Sequence, residues 1–346
     1  MKRLGHAPAL DGIRGIAVAI VVLHHLQVPW VHGGWLGVDL FFALSGFLIT
    51  HSLLGKEERL GEFWTRRAWR LAPAMALLLA WYVAFVHRGM WLTWWLASLG
   101  QVLNVHDAAS LHGPFSPEIG HLWSLSAEVQ FYAVWPLVVL AVGRRHRALL
   151  GVAVALFAAS TIERTVLALH HEQWNRLYYG PDVRSTALWA GCVVGLLFVG
   201  GAFDRSPGLT MAARLLAVPA FAALAWLVVL PSMNFSLSET PYRWGLTLVA
   251  VCAAVLVAAG ATTSGGPLRV LLEAGPLVWL GRISFSVYLW HKPIIEALPQ
   301  MSTASRVAIV VPASLVAGWL SYVVVERPLL SSAGRARLRA RLATVG

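Results

Sequence analysis

A chain of 346 residues that is 58% hydrophobic and only 12% charged, with mean hydropathy +0.67, falls outside the water-soluble globular class. Its net charge of +11 would suit nucleic acid, but the basic residues sit in short segments between apolar blocks. Membrane topology accounts for them, and no nucleic-acid partner is expected. Cys192 and Cys252 both lie inside apolar blocks, so neither a disulfide nor a metal site is expected from them.

In chain order, windows of about 20 residues predict spans near 11–29, 34–54, 73–87, 122–142, 148–169, 185–203, 212–230, 243–263, 276–298 and 305–325. Met90–Val105, with three tryptophans, reads as an interfacial or re-entrant segment. Making it an eleventh span would put Arg144, Arg145 and Arg147 outside. Ten spans place both termini in the cytoplasm, with eighteen Lys and Arg in inner segments against six in outer ones. The expected fold class is therefore all-α: a polytopic membrane helix bundle of about ten transmembrane helices plus the interfacial segment. One domain covers 1–330, followed by a basic cytoplasmic tail at 331–346. The first span leads directly into a second with no small-residue cleavage site, so it reads as a span and not a leader.

The first span, LDGIRGIAVAIVVLHHLQVPW, carries Asp11, Arg14, His24 and His25. Ionisable groups inside a span are costly and usually face a bundle interior or a watery cavity. Arg14 and His25 are eleven residues apart, about three helical turns, so they share a face about 16 Å apart along the axis, while His24 points about 100° away. The second span holds Asp39 near its outer end and Ser45-Gly46 at mid-span. Small residues there serve close helix packing; Ser45 is alternatively a cavity wall or an acyl-accepting nucleophile, though no base lies near it in sequence.

In GEFWTRRAWRLAP (61–73), Arg66, Arg67 and Arg70 cover one arc of a helix, with Trp64, Ala68 and Leu71 on the other side. Such a segment is either a basic interfacial helix on anionic lipid or an anion site whose forked cations suit a diphosphate or a 3′-phosphate. In HLWSLSAEVQFY, residues His121, Ser124 and Glu128 share a face, and a buried Glu there must pair with a cation or imidazole or bind a polar ligand. The loop HHEQWNRLYYGPDVR combines aromatic rings with hydrogen-bonding groups, as a carbohydrate surface or an ordinary aromatic belt would. The ninth span aligns Ser284, Tyr288 and His291, with Lys292 beside them and Pro293 bending the helix. Glu326-Arg327 at the end of the last span read as a local cap and pair.

Taken in order, LDGIRG with ten residues from Arg14 to His25, GVDLFFALSGF, FWTRRAWRLAP, HLWSLSAEVQFY, YGPDVRSTALWAG, LGRISFSVYLWHKPI and SYVVVERP resemble the acyltransferase-3 family of integral membrane O-acyltransferases. That family includes O-antigen and other surface-glycan O-acetylases, and the resemblance covers essentially the whole chain. It implies a bacterial-type plasma membrane protein that uses a short-chain acyl-CoA, acetyl-CoA, as donor substrate from the cytoplasm, with no permanently bound cofactor. The acceptor it implies is a carbohydrate or glycolipid hydroxyl. Arg14 and His25 match the essential R-x10-H motif, and Phe42, Ser45, Gly46 and Phe47 match F-x-x-S-G-F. Two departures stand out. No esterase-like domain is appended, so the chain is expected to act alone, and Ser185-Thr186 follow Arg184 where many members have an Asp-containing continuation.

Acyl transfer needs a base for the attacking hydroxyl and stabilisation of the oxyanion. The expected roles are His25 as general base supported by Glu128 or Asp39, and Arg14 on the donor's pantetheine or phosphates. Arg66, Arg67 and Arg70 hold the nucleotide, with Ser45 and Phe42 beside the donor. His121, Trp123, Arg184, Tyr288 and His291 face the acceptor. The alternatives are acylation of a macrolide-type small molecule, a transporter or flippase, and a non-enzymatic scaffold; no pseudo-repeat of broken helices favours a transporter.

Overall fold

Residues 4–5, 7–55, 59–86, 117–262 and 266–330 are described by the structure, a computed structural model. In a bilayer core each backbone N–H and C=O must be paired within the segment, which for separate apolar runs leaves the helix. Ten long helices result, with no strand among the described residues. They are α1 (Pro8–His25), α2 (Gly37–Gly55), α3 (Leu60–Phe85), α4 (Trp123–Val142) and α5 (His146–Leu169). There follow α6 (Thr186–Val199), α7 (Pro207–Val229), α8 (Leu246–Thr262), α9 (Gly275–Glu296) and α10 (Thr303–Ser321). Short helices Trp174–Tyr179 and Pro181–Arg184 connect α5 to α6.

Among the described residues, eight stretches are long and apolar enough to cross a membrane. The remaining two are α6, with 14 residues, and α9, which carries Arg282, His291, Lys292 and Glu296. Nearly every side chain of α6 is buried by protein, so lipid does not set its length. Exposed Leu137, Leu140, Ile162, Leu215 and Val324 form the lipid-facing surface of the other helices. The protein is a polytopic all-α membrane bundle.

Helix α2 is central, packing on α1, α4, α6 and α8, while α1 packs along α9 and α9 along α10. Lipid tails are as apolar as leucine, so association depends on close packing. A methyl built on Gly46 would lie 2.0 Å from the Leu188 carbonyl oxygen, and one on Gly191 would lie 2.1 Å from that of Ala43. Each glycine of the α2–α6 pair thus receives the other helix's backbone. Gly46 is a packing residue, and Ser45 beside it points elsewhere.

Two boundaries differ from the sequence reading in ways that affect the site. The basic segment 61–73 and the third span are one helix, α3, with Pro73 inside it. No glycine or turn residue separates them, and proline is tolerated in membrane helices where neighbours and local adjustments satisfy the freed carbonyl. Helix α1 ends at His25 instead of continuing to residue 29, and the chain reverses through Gln27 at φ +56°. His25 therefore sits at the end of its helix, not mid-span. Met90–Val105 and the tail 331–346 lie outside the described residues.

Replacing Gly191 by Val forces the α2–α6 backbones apart. We expect a loss of about 1–3 kcal/mol, read as a lower melting temperature of the purified protein; an unchanged melting temperature would contradict the glycine-mediated contact.

Candidate active site

Helices α1, α2, α3, α4 and α9 line a cavity of about 750 Å³, counting the part open to solvent. Arg14 enters it from α1, Phe42 and Ser45 from α2, and Arg67 and Arg70 from α3. Ser124, Glu128 and Tyr132 line it from α4, and Ser284 and Tyr288 from α9. Three guanidinium groups lining one space favour an anion with several oxygens there. Arg14 Nε donates to Ser284 Oγ at 3.4 Å, and the Arg67 guanidinium lies 5.6 Å from the ring centroids of Phe63 and Tyr132. Arg66, grouped with these arginines by sequence, is exposed and outside the lining.

Glu128 is the cavity's carboxylate. Ser45 Oγ and Tyr132 Oη both donate to its Oε1. The partner that Ser45 lacked in sequence is thus supplied from α4. Tyr132 was not singled out from the sequence, although its i,i+4 spacing from Glu128 on one helix was a usable signal.

At one end of this space stands Tyr288. Its Oη donates to the His121 carbonyl at 2.6 Å and lies 2.6 Å from Ser124 Oγ. Its ring centroid lies 5.5 Å from that of His291, and His291 lies 4.9 Å from His25. The histidines stand behind Tyr288 and do not line the cavity.

The His25–His291 pair has an internal logic. His291 Nδ1 is 2.6 Å from the Tyr288 carbonyl, and His25 Nδ1 is 3.0 Å from the Val21 carbonyl. A carbonyl only accepts, so in the neutral rings both Nδ1 atoms carry the hydrogen. His291 Nε2, 3.2 Å from His25 Nδ1, then accepts from it. His25 is left with an unprotonated Nε2, the lone pair a base requires. His121 packs its ring 5.1 Å from His291, and neither of its ring nitrogens makes a hydrogen bond.

Asp39 and Arg184 are brought together with each other, away from this pair. Arg184 Nη1 and Nη2 donate to the two Asp39 carboxylate oxygens at 2.7 and 3.1 Å, and both side chains are almost fully buried. The guanidinium lies 5.1–5.6 Å from the rings of Trp35, Trp123 and Tyr178. Burial pushes the Tyr178 hydroxyl up to about 12, so the ring beside the cation is neutral. Neither Asp39 nor Glu128, expected beside His25, makes a hydrogen bond to it. Trp123 and Arg184, expected at the acceptor, are parts of this ion-pair cage. Glu326, read as a local cap, is buried and accepts from Ser286 on α9.

The family model for the acyltransferase domain matches residues 8–326, which includes the arginine cavity and the histidine pair. The chain belongs to the acyltransferase-3 family. It is 30% identical to the peptidoglycan O-acetyltransferase OatA of Listeria monocytogenes over 94% of its own length and 56% of that protein. It is 32% identical to the putative peptidoglycan O-acetyltransferase YrhL of Bacillus subtilis over 94% of the chain and 55% of the relative. Identity to the O-acetyltransferase OatA of Staphylococcus aureus is 30%, over 84% and 51%. This acyltransferase-3 chain therefore spans about half the length of the curated relatives it matches. No solved structure matches it.

In this acyltransferase-3 bundle the Asp39–Arg184 pair is a structural test case. Asp39→Asn leaves a buried guanidinium without its counter-charge, with an expected loss of about 3–5 kcal/mol. Asp182→Asn, which weakens the exposed pair with Arg176, should change stability by less than about 1 kcal/mol. Thermal unfolding of both variants in the same detergent checks the contrast, and equal shifts would contradict it.

Proposed function

We propose that the protein is a membrane-embedded O-acyltransferase of the bacterial plasma membrane. It moves a short acyl group, acetyl, from cytoplasmic acyl-CoA to a hydroxyl of a carbohydrate or glycolipid acceptor. The observation that carries this reading is the arginine cavity backed, behind Tyr288, by an imidazole pair with His25 Nε2 unprotonated. Relatives named as peptidoglycan O-acetyltransferases support a sugar acceptor over a macrolide-type molecule.

In this scheme Arg14, Arg67 and Arg70 hold the donor's phosphates by charge-assisted hydrogen bonds. The end of the bundle with these arginines faces the cytoplasm, as the distribution of basic residues requires. The acceptor hydroxyl gives its proton to His25 Nε2 as its oxygen attacks the thioester carbonyl. Collapse of the tetrahedral intermediate breaks the C–S bond, and the departing thiolate takes the proton back from the imidazolium, yielding ester and CoA thiol. His291 is a positioning residue: its Nε2 accepts the His25 Nδ1–H, fixes the tautomer and stabilises the imidazolium.

A second reading is favoured by Ser45. Its hydroxyl donates to Glu128 in the donor cavity, as a nucleophile beside a base would. The acyl group would then rest on Ser45 before reaching the acceptor.

Release of CoA thiol from acetyl-CoA in the presence of acceptor tests both, and a pure transporter would release none. His25→Ala should lower the transfer rate by about 100-fold or more, and His24→Ala by only a few-fold. A transfer-competent His25→Ala protein would overturn the scheme. Because Val21 also holds His25 Nδ1, His291→Leu should cost about 10-fold in kcat with the acetyl-CoA KM unchanged. His291→Gln, whose amide oxygen can accept the same hydrogen, should recover part of it. Under direct transfer Ser45→Ala stays active within a few-fold; under the relay it is inactive and labelled donor leaves a trapped acyl-enzyme in the wild type.

A further inference from the structure

Around the histidine end of the bundle the aromatic residues are not scattered. The indole of Trp174 is 38% exposed, and its ring centroid lies 5.5 Å from that of Phe235. Phe235 stacks on Tyr178 at 4.5 Å and lies 6.1 Å from His24. His24 in turn lies 5.6 Å from His25. Rings from three separate parts of the chain, the 174–179 helix, the 231–236 turn and the end of α1, thus form one continuous row. It starts at an exposed surface and ends on the proposed base. Trp174 is exposed and Phe235, His24 and His25 are each half-buried, while Tyr178 is buried.

We propose that this row is a docking track for a carbohydrate chain that extends beyond the sugar being acylated. The proposal rests on the acyltransferase reading above and deepens its acceptor side. Three observations select a glycan as occupant. The track is continuous with the proposed base, so whatever lies on it is in line for the reaction. Aromatic rings offer π-faces to the C–H faces of pyranoses at little entropic cost, since each ring has few rotatable bonds. Hydrogen-bonding groups flank the rings: Gln173 is exposed next to Trp174, and Asn234 and Ser236 flank Phe235.

His24 acquires a place in this scheme. Its Nδ1 is held by the Val31 carbonyl at 3.3 Å, which fixes the ring beside Phe235. It is a track residue and not a base, in agreement with its helical phase relative to His25.

The test uses the full-length protein in nanodiscs with N-acetylglucosamine and its β-1,4-linked tetramer as probes. Binding of fluorescein-labelled tetramer, followed by anisotropy without donor, should weaken roughly tenfold in Trp174→Leu. Trp174→Leu keeps apolar bulk for packing, and Trp174→Phe, which keeps a ring, should bind within about threefold of wild type. With acetyl-CoA present, Trp174→Leu should raise the KM for the tetramer by the same factor and leave kcat and the monosaccharide KM unchanged. Tetramer binding that is absent in the wild type, or unchanged in Trp174→Leu, overturns the proposal. A fall in melting temperature without a change in tetramer affinity also overturns it, assigning the rings to a membrane-interface belt. The two readings fail separately: tetramer binding that depends on Trp174 without any acyl transfer retires the proposed function and leaves the track, while transfer without Trp174 dependence does the reverse.

Discussion

Arg184 is almost fully buried, so its charge must be met inside the protein, and the arrangement of α2, α4 and α6 follows from how that is done. Its two terminal nitrogens take both oxygens of Asp39, and three aromatic rings close around the guanidinium. This ties the start of α2 to the segment just before α6, while Gly46 and Gly191 let the same two helices touch backbone to backbone further along. Arg164 solves the same problem with neutral acceptors, reaching the carbonyls of Tyr242 and Val183 and the hydroxyls of Thr186 and Thr247. In a low-dielectric medium such networks are costly to leave half-made, so the helices they join have little freedom to slide.

That rigidity gives the rest of the bundle its division of labour. With α2 fixed, Ser45 and Phe42 face α3 and α9 across a cavity whose arginines come from α1 and α3. The histidines stand on the far side of Tyr288, at the other end of α1. Under the proposed function, binding of anionic phosphates and proton transfer are thereby held apart, and a base placed beside three guanidinium groups would be the poorer for it. In that proposal, the separation between Arg14 and His25 along α1 is the distance the donor spans to present its thioester near the imidazole.

Much of this was legible in the sequence. Most of the helices follow from length and hydropathy alone, though α6 is too short and α9 too charged to meet those criteria, and the phase of α1 places Arg14 and His25 on one side. The common face of Ser284, Tyr288 and His291 was also readable, because helical periodicity is a local property. What could not be read was pairing between distant segments. Asp39 and Arg184 are 145 positions apart, Ser45 and Glu128 83, and His25 and His291 266. Nothing in local composition says which polar residue answers which. The end of α1 at His25 is not marked by composition, because Leu26, Val28 and Trp30 keep the segment apolar around Gln27, whose positive φ turns the chain. Pro73 misled in the opposite direction, since proline reads as a boundary in water and is accommodated inside α3 here.

The central claim is that donor binding and proton transfer belong to different ends of one bundle. Titration of labelled acetyl-CoA into the purified protein separates them most directly, comparing His25→Ala with the double variant Arg67→Ala/Arg70→Ala. The account predicts wild-type donor affinity in His25→Ala and a loss of at least about tenfold in the arginine variant. Donor affinity lost in His25→Ala, or retained when both arginines are gone, would contradict it.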